Sequence, residues 1–198
     1  AKAVQALGNN ASKVLISPSP QDAVIAFSDT GPTQPGFGRK MLVPIGKNQE
    51  NFKGLIVEGF GFTPLWSPRG DTLVYSVSGE TSNYLPLLWV VDGSTNKLGN
   101  ERRNLSLKTW ADKCTYGSEN TLFCAVPQNP PANSGLQRQL ARGFPDSLYK
   151  VDLTTGTSSL LATTENGIPM TNLRVSADQS RLYFINENTG NLETMRLR

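Results

Sequence analysis

The sequence predicts an all-β fold assembled from four copies of one four-stranded unit, and three observations predict it. Alternating apolar strands return at a spacing near fifty residues. The 18 glycines and 13 prolines among 198 residues favour many short strands joined by tight turns over long helices. Hydrophobic residues make up 37% of the chain and charged ones only 18%, enough apolar material for a buried core and too little charge for disorder.

The clearest unit spans 61–107. Residues 62–66 read as a first strand, and Ser67-Pro68-Arg69-Gly70-Asp71 as a tight turn in which Pro68 pre-sets φ and Gly70 accepts a positive φ. Residues 72–77 alternate as a second strand and 87–91 form a third. Asp92-Gly93-Ser94-Thr95-Asn96 turns the chain, and 104–107 supply a fourth.

The same order returns three times. Ser19-Pro20-Gln21-Asp22 precedes an apolar strand at 23–27, Gly117-Ser118-Glu119-Asn120 one at 121–124, and Ser176-Ala177-Asp178-Gln179-Ser180 one at 181–185. Aligned on this second strand, Ile25, Leu73, Leu122 and Leu182 share one position, 48, 49 and 60 residues apart. The longer interval is an insertion at 127–146, after which 147–151 resume the third strand and Asp152-Leu153-Thr154-Thr155-Gly156 repeats the turn. A four-stranded antiparallel meander buries neither face alone, so such units stack as the blades of a β-propeller.

The whole chain, 1–198, thus reads as one propeller region, with an outer strand at 2–7 and blades at about 11–58, 60–107, 109–162 and 171–197. Residues 192–197 read as a third strand with no fourth after it. In a self-closed four-bladed ring, strand 2–7 would complete that last blade; in a larger ring it belongs to the preceding one. The chain begins at Ala1 without a charged-then-apolar leader, and the expectation is a segment whose targeting signal lies upstream.

Ser-Pro-x-Gly-Asp before an alternating strand, then an apolar strand ending in Asp and a Thr-Gly turn, resembles the TolB-type propeller repeat. Residues 66–75 and 148–156 carry it best. Thr109-Trp110-Ala111-Asp112-Lys113-Cys114, Cys124-Ala125-Val126-Pro127-Gln128-Asn129 and the segment 145–152 are also similar to envelope propeller proteins of small-genome bacterial lineages, a group with no settled activity. That resemblance implies the C-terminal four blades of a larger ring, extracytoplasmic (periplasmic or cell-surface) and anchored through an upstream segment. It supplies no catalytic residues.

Cys114 and Cys124 are expected at the end of a first strand and within a second. A hairpin centred on position 119 sets them opposite one another, within reach of a disulfide. The alternative is two buried free thiols. A disulfide implies an oxidising compartment. Trp66 and Trp110, read on first strands, are expected to pack between blades.

The chain has no histidine, which excludes from it a Ser-His-Asp or Cys-His nucleophilic site and His-ligated metal. It carries no Gly-x-Ser-x-Gly elbow, no calcium-loop pattern and no cofactor motif, so neither metal nor cofactor is expected. Paired carboxylates remain as a third, weaker route to glycan chemistry, but Asp71, Asp92 and Asp152 stand in repeated turns where Asp bonds nearby backbone N–H groups. The net charge of +3 is scattered without a basic patch, so no nucleic-acid partner is expected. No apolar run approaches the length of a membrane span.

Function is therefore sought on loops. In propellers the connections between second and third strands, and from a fourth strand to the next first, emerge on one face. Here the former, 28–39, 78–86 and 127–146, are long. They offer Phe37, Arg39 and Lys40, then Tyr84, then Arg138, Arg142 and Phe144, the aromatic and arginine types that dominate binding hot spots. Leu136, Leu140 and Phe144 recur every fourth residue behind Asn133 and Ser134, as a short capped helical turn requires. The reading is a non-catalytic module binding a protein, peptide or cell-wall glycan through this face, or alternatively the propeller part of a larger enzyme with its catalytic domain elsewhere.

Overall fold

The computed structural model describes residues 11–47, 50, 52–164 and 167–197. The expected strand at 2–7 lies outside them. Among the described residues fifteen strands form four antiparallel sheets, and within each sheet the strands pair in sequence order. Blade 1 comprises β1 (Val14–Ile16), β2 (Val24–Ser28), β3 (Arg39–Gly46) and β4 (Leu55–Glu58). Blade 2 comprises β5 (Phe60–Trp66), β6 (Thr72–Ser78), β7 (Pro86–Asp92) and β8 (Arg103–Asn104). Blade 3 comprises β9 (Cys114–Ser118), β10 (Thr121–Pro127), β11 (Asp146–Asp152) and β12 (Ser158–Thr163). Blade 4 has three strands among the described residues, β13 (Met170–Val175), β14 (Arg181–Asn186) and β15 (Leu192–Arg196).

Strand alternation decides how the blades stack. On β6, Leu73, Tyr75 and Val77 pack with Val24, Phe27, Leu42, Leu55 and Val57 of blade 1. Val74, one residue out of phase, packs with Leu122, Cys124 and Val151 of blade 3. On β10 the same division sends Leu122 and Cys124 towards blade 2, and Phe123 and Ala125 towards Met170, Leu173, Leu182 and Phe184 of blade 4. The period of two gives a central blade two buried faces, and each fully buried Leu, Val or Phe contributes about 1.5–3 kcal/mol relative to exposure.

Three blades share one turn between their first and second strands. The carbonyls of Ser19, Ser67 and Ser176 accept the N–H three residues on, from Asp22, Gly70 and Gln179. Their hydroxyls accept the N–H five residues on, from Val24, Thr72 and Arg181. The geometry demands positive φ at the fourth position, found at Asp22 (55°), Gly70 (79°) and Gln179 (56°). Blade 3 departs from it, because Ser118 pairs directly with Thr121 and the hairpin is tighter.

Several strand expectations shift. Ile25 is half-buried while Leu73, Leu122 and Leu182 are fully buried, because the β2–β3 register slips between Val24 and Ala26. Cys114 opens its strand instead of ending one, since a 3-10 turn at Ala111–Lys113 precedes it. The fourth strand of blade 2 is only Arg103–Asn104, although Leu88 still exchanges backbone bonds with Leu105 and Leu107. Cys114 and Cys124 are direct cross-strand partners with Cα atoms 4.1 Å apart, and they form a disulfide. Asp92 and Asp152 accept backbone N–H groups two residues on, as expected of turn residues. The Asp71 carboxylate instead meets Arg69 and Gln21.

Candidate functional site

Two loops of the predicted binding face are joined by backbone bonds. The N–H of Asn133 donates to the Asn83 carbonyl at 3.1 Å, and that of Gly135 to the Tyr84 carbonyl at 2.9 Å. Asn83 and Tyr84 take positive φ, 53° and 55°, to turn these carbonyls towards the β10–β11 loop. Gly135 is required by proximity, for a Cβ there would lie 2.0 Å from Ser78 Oγ and 2.6 Å from the Tyr84 carbonyl oxygen. The β10–β11 loop is therefore tethered to blade 2 as well as to its own blade.

Beyond this tether the loop forms a 3-10 turn, Arg138–Ala141, with no side-chain cap. Of the expected apolar stripe, Leu136 and Leu140 remain 48% and 43% exposed and Phe144 is half-buried, while Ala141 within the turn is buried. Arg138 lies across the Trp110 ring, its guanidinium carbon 4.8 Å from the ring centroid, and its Nη1 donates to Asp112 Oδ2 at 2.7 Å. Trp110 thus does not lie on a first strand. It precedes the 3-10 turn Ala111–Lys113 in the connection from blade 2 to blade 3. Trp66, at the end of β5, packs between blades as expected, stacked on Phe27 and donating its indole N–H to Ser17.

Below Trp110, Lys113 reaches inward and its ammonium meets Asp146 Oδ2 at 2.7 Å, with side-chain exposures of 6% and 0%. The same oxygen accepts the N–H of Met170 at 2.6 Å, and Oδ1 has no partner among the described residues. Burial pushes the Asp146 carboxyl above its usual range, opposed by Lys113 and by the Met170 N–H. This pair ties the blade 3 entry turn to β11 and to the first residue of β13.

A cleft of about 190 Å³ opens above the pair, lined by Trp110, Lys113, Arg138, Gln139, Ala141, Arg142 and Glu187. Its walls come from three connections on one face, those leading into β9, from β10 to β11, and from β14 to β15. Of the residues singled out from sequence, Arg138 and Arg142 line it. Phe144 is half-buried just after, with its N–H on the Ala141 carbonyl. Tyr84 serves the tether through its backbone. Phe37 projects from the β2–β3 loop, 75% exposed. Arg39 and Lys40 are not loop residues but open β3, where Arg39 pairs with Glu58 at 3.3 Å and Lys40 with Asp29. Lys40 lines a separate cleft with Phe27, Leu42 and Phe62.

Lys113, Asp146 and Glu187 were not singled out as a group. Each sits alone in sequence, and only stacking of blades 3 and 4 assembles them. Among the described residues no group of three or more His, Cys, Asp or Glu is placed to hold a metal ion. Among the described residues no helix is long and apolar enough to cross a membrane.

No protein-family model and no curated protein sequence matches the chain. Solved structures do. TolB from Acinetobacter baumannii aligns over 93% of this chain and 43% of its own, at 14% identity and a TM-score of 0.52. Hydrazine synthase from Kuenenia stuttgartiensis aligns over 93% of this chain and 52% of its own, at 14% identity and a TM-score of 0.55. The fold is a TolB-type β-propeller. The chain spans about half the length of these structures, and at such identity they show the fold alone.

Proposed function

We propose that this chain is a non-catalytic, extracytoplasmic propeller module that captures a partner through its long-loop face. The observation that carries the reading is the tethered β10–β11 loop. It holds Leu136 and Leu140 exposed beside Arg142 on a scaffold fixed to blade 2 by two backbone hydrogen bonds. Apolar side chains beside arginine on a preorganised loop suit a protein or peptide. A cell-wall glycan fits less well, since Trp110 is 5% exposed and its ring already carries Arg138. The disulfide supports an oxidising compartment.

The four blades are read as part of a larger ring. On blade 1 the register places Ile16, Val43, Ile45, Met41 and Ile56 on the side turned away from blade 2, with Ile16 78% and Val43 36% exposed. The corresponding faces of blades 2 and 3 are buried, so further blades of the same protein would cover this one. A second reading, the propeller part of a larger enzyme, draws support from the occurrence of this fold in hydrazine synthase.

Replacing residues 129–144 by Asn-Gly tests the proposal, because the N–H of Gln128 already meets the Pro145 carbonyl at 2.8 Å and a two-residue turn can close that gap. A second variant, Leu136→Ser with Leu140→Ser and Arg142→Ser, keeps the loop. Both are expected to retain β circular dichroism and lose partner capture from envelope extract. Unchanged capture by folded variants would sink the reading.

A further inference from the structure

Arg142 and Glu187 bring opposite charges to one cleft from two different blades, and neither joins an ion pair among the described residues. The other charged side chains lining it are each paired with a protein partner, Arg138 with Asp112 and Lys113 with Asp146. Even there the matching is incomplete. The Lys113 ammonium has three donors and makes one hydrogen bond among the described residues, although its side chain is 6% exposed. Asp146 Oδ1, fully buried, accepts none from the described residues. Native interiors rarely leave such groups idle.

We propose that the cleft between blades 3 and 4 binds a small zwitterion of the α-amino acid class. Its carboxylate sits on Arg142 and the spare donors of Lys113, and its ammonium on Glu187. The size agrees, because about 190 Å³ is below the range that drug-sized ligands occupy. The chemistry of the walls agrees too. A purely anionic ligand would face Glu187 uncompensated, and a purely cationic one would face Arg142. A sugar ring would need the Trp110 face, which Arg138 covers at 4.8 Å. Glu187 also lies near enough to Asp146 to help raise its pKa, an unfavourable pairing of like charges that a ligand ammonium would relieve.

This inference rests on the loop-face reading only for its location. Titrating the intact chain with L-alanine and L-leucine by heteronuclear NMR tests it, with N-acetyl-L-leucine and L-leucinamide as charge-blocked controls. The amino acids are expected to give saturable shifts at the Trp110 indole and at Glu187. Each control, and each of Arg142→Gln and Glu187→Gln with fold intact, is expected to weaken binding about tenfold or more. The inference is overturned if neither amino acid saturates at millimolar concentration. It is equally overturned if the N-acetyl compound binds as tightly as L-leucine, which would mark a plain anion site. No amino-acid binding by the parent chain, with partner capture intact, removes this inference alone, whereas capture that is indifferent to the β10–β11 loop removes the loop-face reading alone.

Discussion

The guanidinium of Arg138 lies 4.8 Å from the centroid of the Trp110 ring while one of its nitrogens meets Asp112 Oδ2 at 2.7 Å. One side chain from the β10–β11 loop thereby closes over the entry to blade 3. Arg138→Ala should expose the indole and shift its fluorescence to longer wavelength, while costing about 0.5–2 kcal/mol of stability. Emission that stays unchanged would mean that the stack does not persist in solution.

The loop tether yields a steric prediction. Gly135→Ala places a methyl group 2.0 Å from Ser78 Oγ and 2.6 Å from the Tyr84 carbonyl oxygen, closer than real contacts allow. The expected outcome is a folded protein whose loop 128–145 is cut faster by limited proteolysis. A cleavage rate equal to that of the parent chain would count against the tether.

How much of this was legible in the sequence depends on how far apart the interacting residues lie. The serine turn at Ser19, Ser67 and Ser176 is local, and the strand that follows alternates visibly, so the meanders could be read directly. Cys114 and Cys124 were placed opposite one another by a single hairpin. The slip at Ile25 was not readable, because a bulge leaves no mark in the residue types around it. Nor was the cleft. Trp110, Arg138 and Glu187 belong to three separate connections and Asp146 opens β11, while Arg39 and Lys40 are charged residues at the start of β3, where no apolar alternation marks the strand.

The buried pair calls for a double-mutant cycle. Lys113→Met strands the Asp146 carboxylate in the interior and should cost about 3–5 kcal/mol in denaturant unfolding. Adding Asp146→Leu should restore much of that loss, because a pair of apolar residues leaves no uncompensated charge. Independent, additive losses would show that the two side chains do not interact.

Asp178 should titrate with a pKa of about 2, held down first by the Ser176 hydroxyl and then by the N–H and hydroxyl of Ser180. A depressed carboxyl stabilises the fold above the ordinary carboxyl pKa, and its contribution is lost as pH falls through about 2. Carboxyl-carbon NMR should find this value, and Ser176→Ala should move it upward. A value near the ordinary carboxyl range in the parent chain would remove the hydrogen-bonded turn.

The disulfide adds a covalent prediction. Cys114 and Cys124 close a short loop, and replacing both by Ala should cost about 2–4 kcal/mol. Mass measurement of native material should show two daltons gained on reduction, and no gain would remove the support for an oxidising compartment.

Hydrogen exchange of the chain bound to its captured partner tests the loop-face claim most directly. Slowed exchange at residues 133–142 and 187–191 is the predicted result. Protection confined to the opposite face, at the serine turns 67–70 and 176–179, would contradict it.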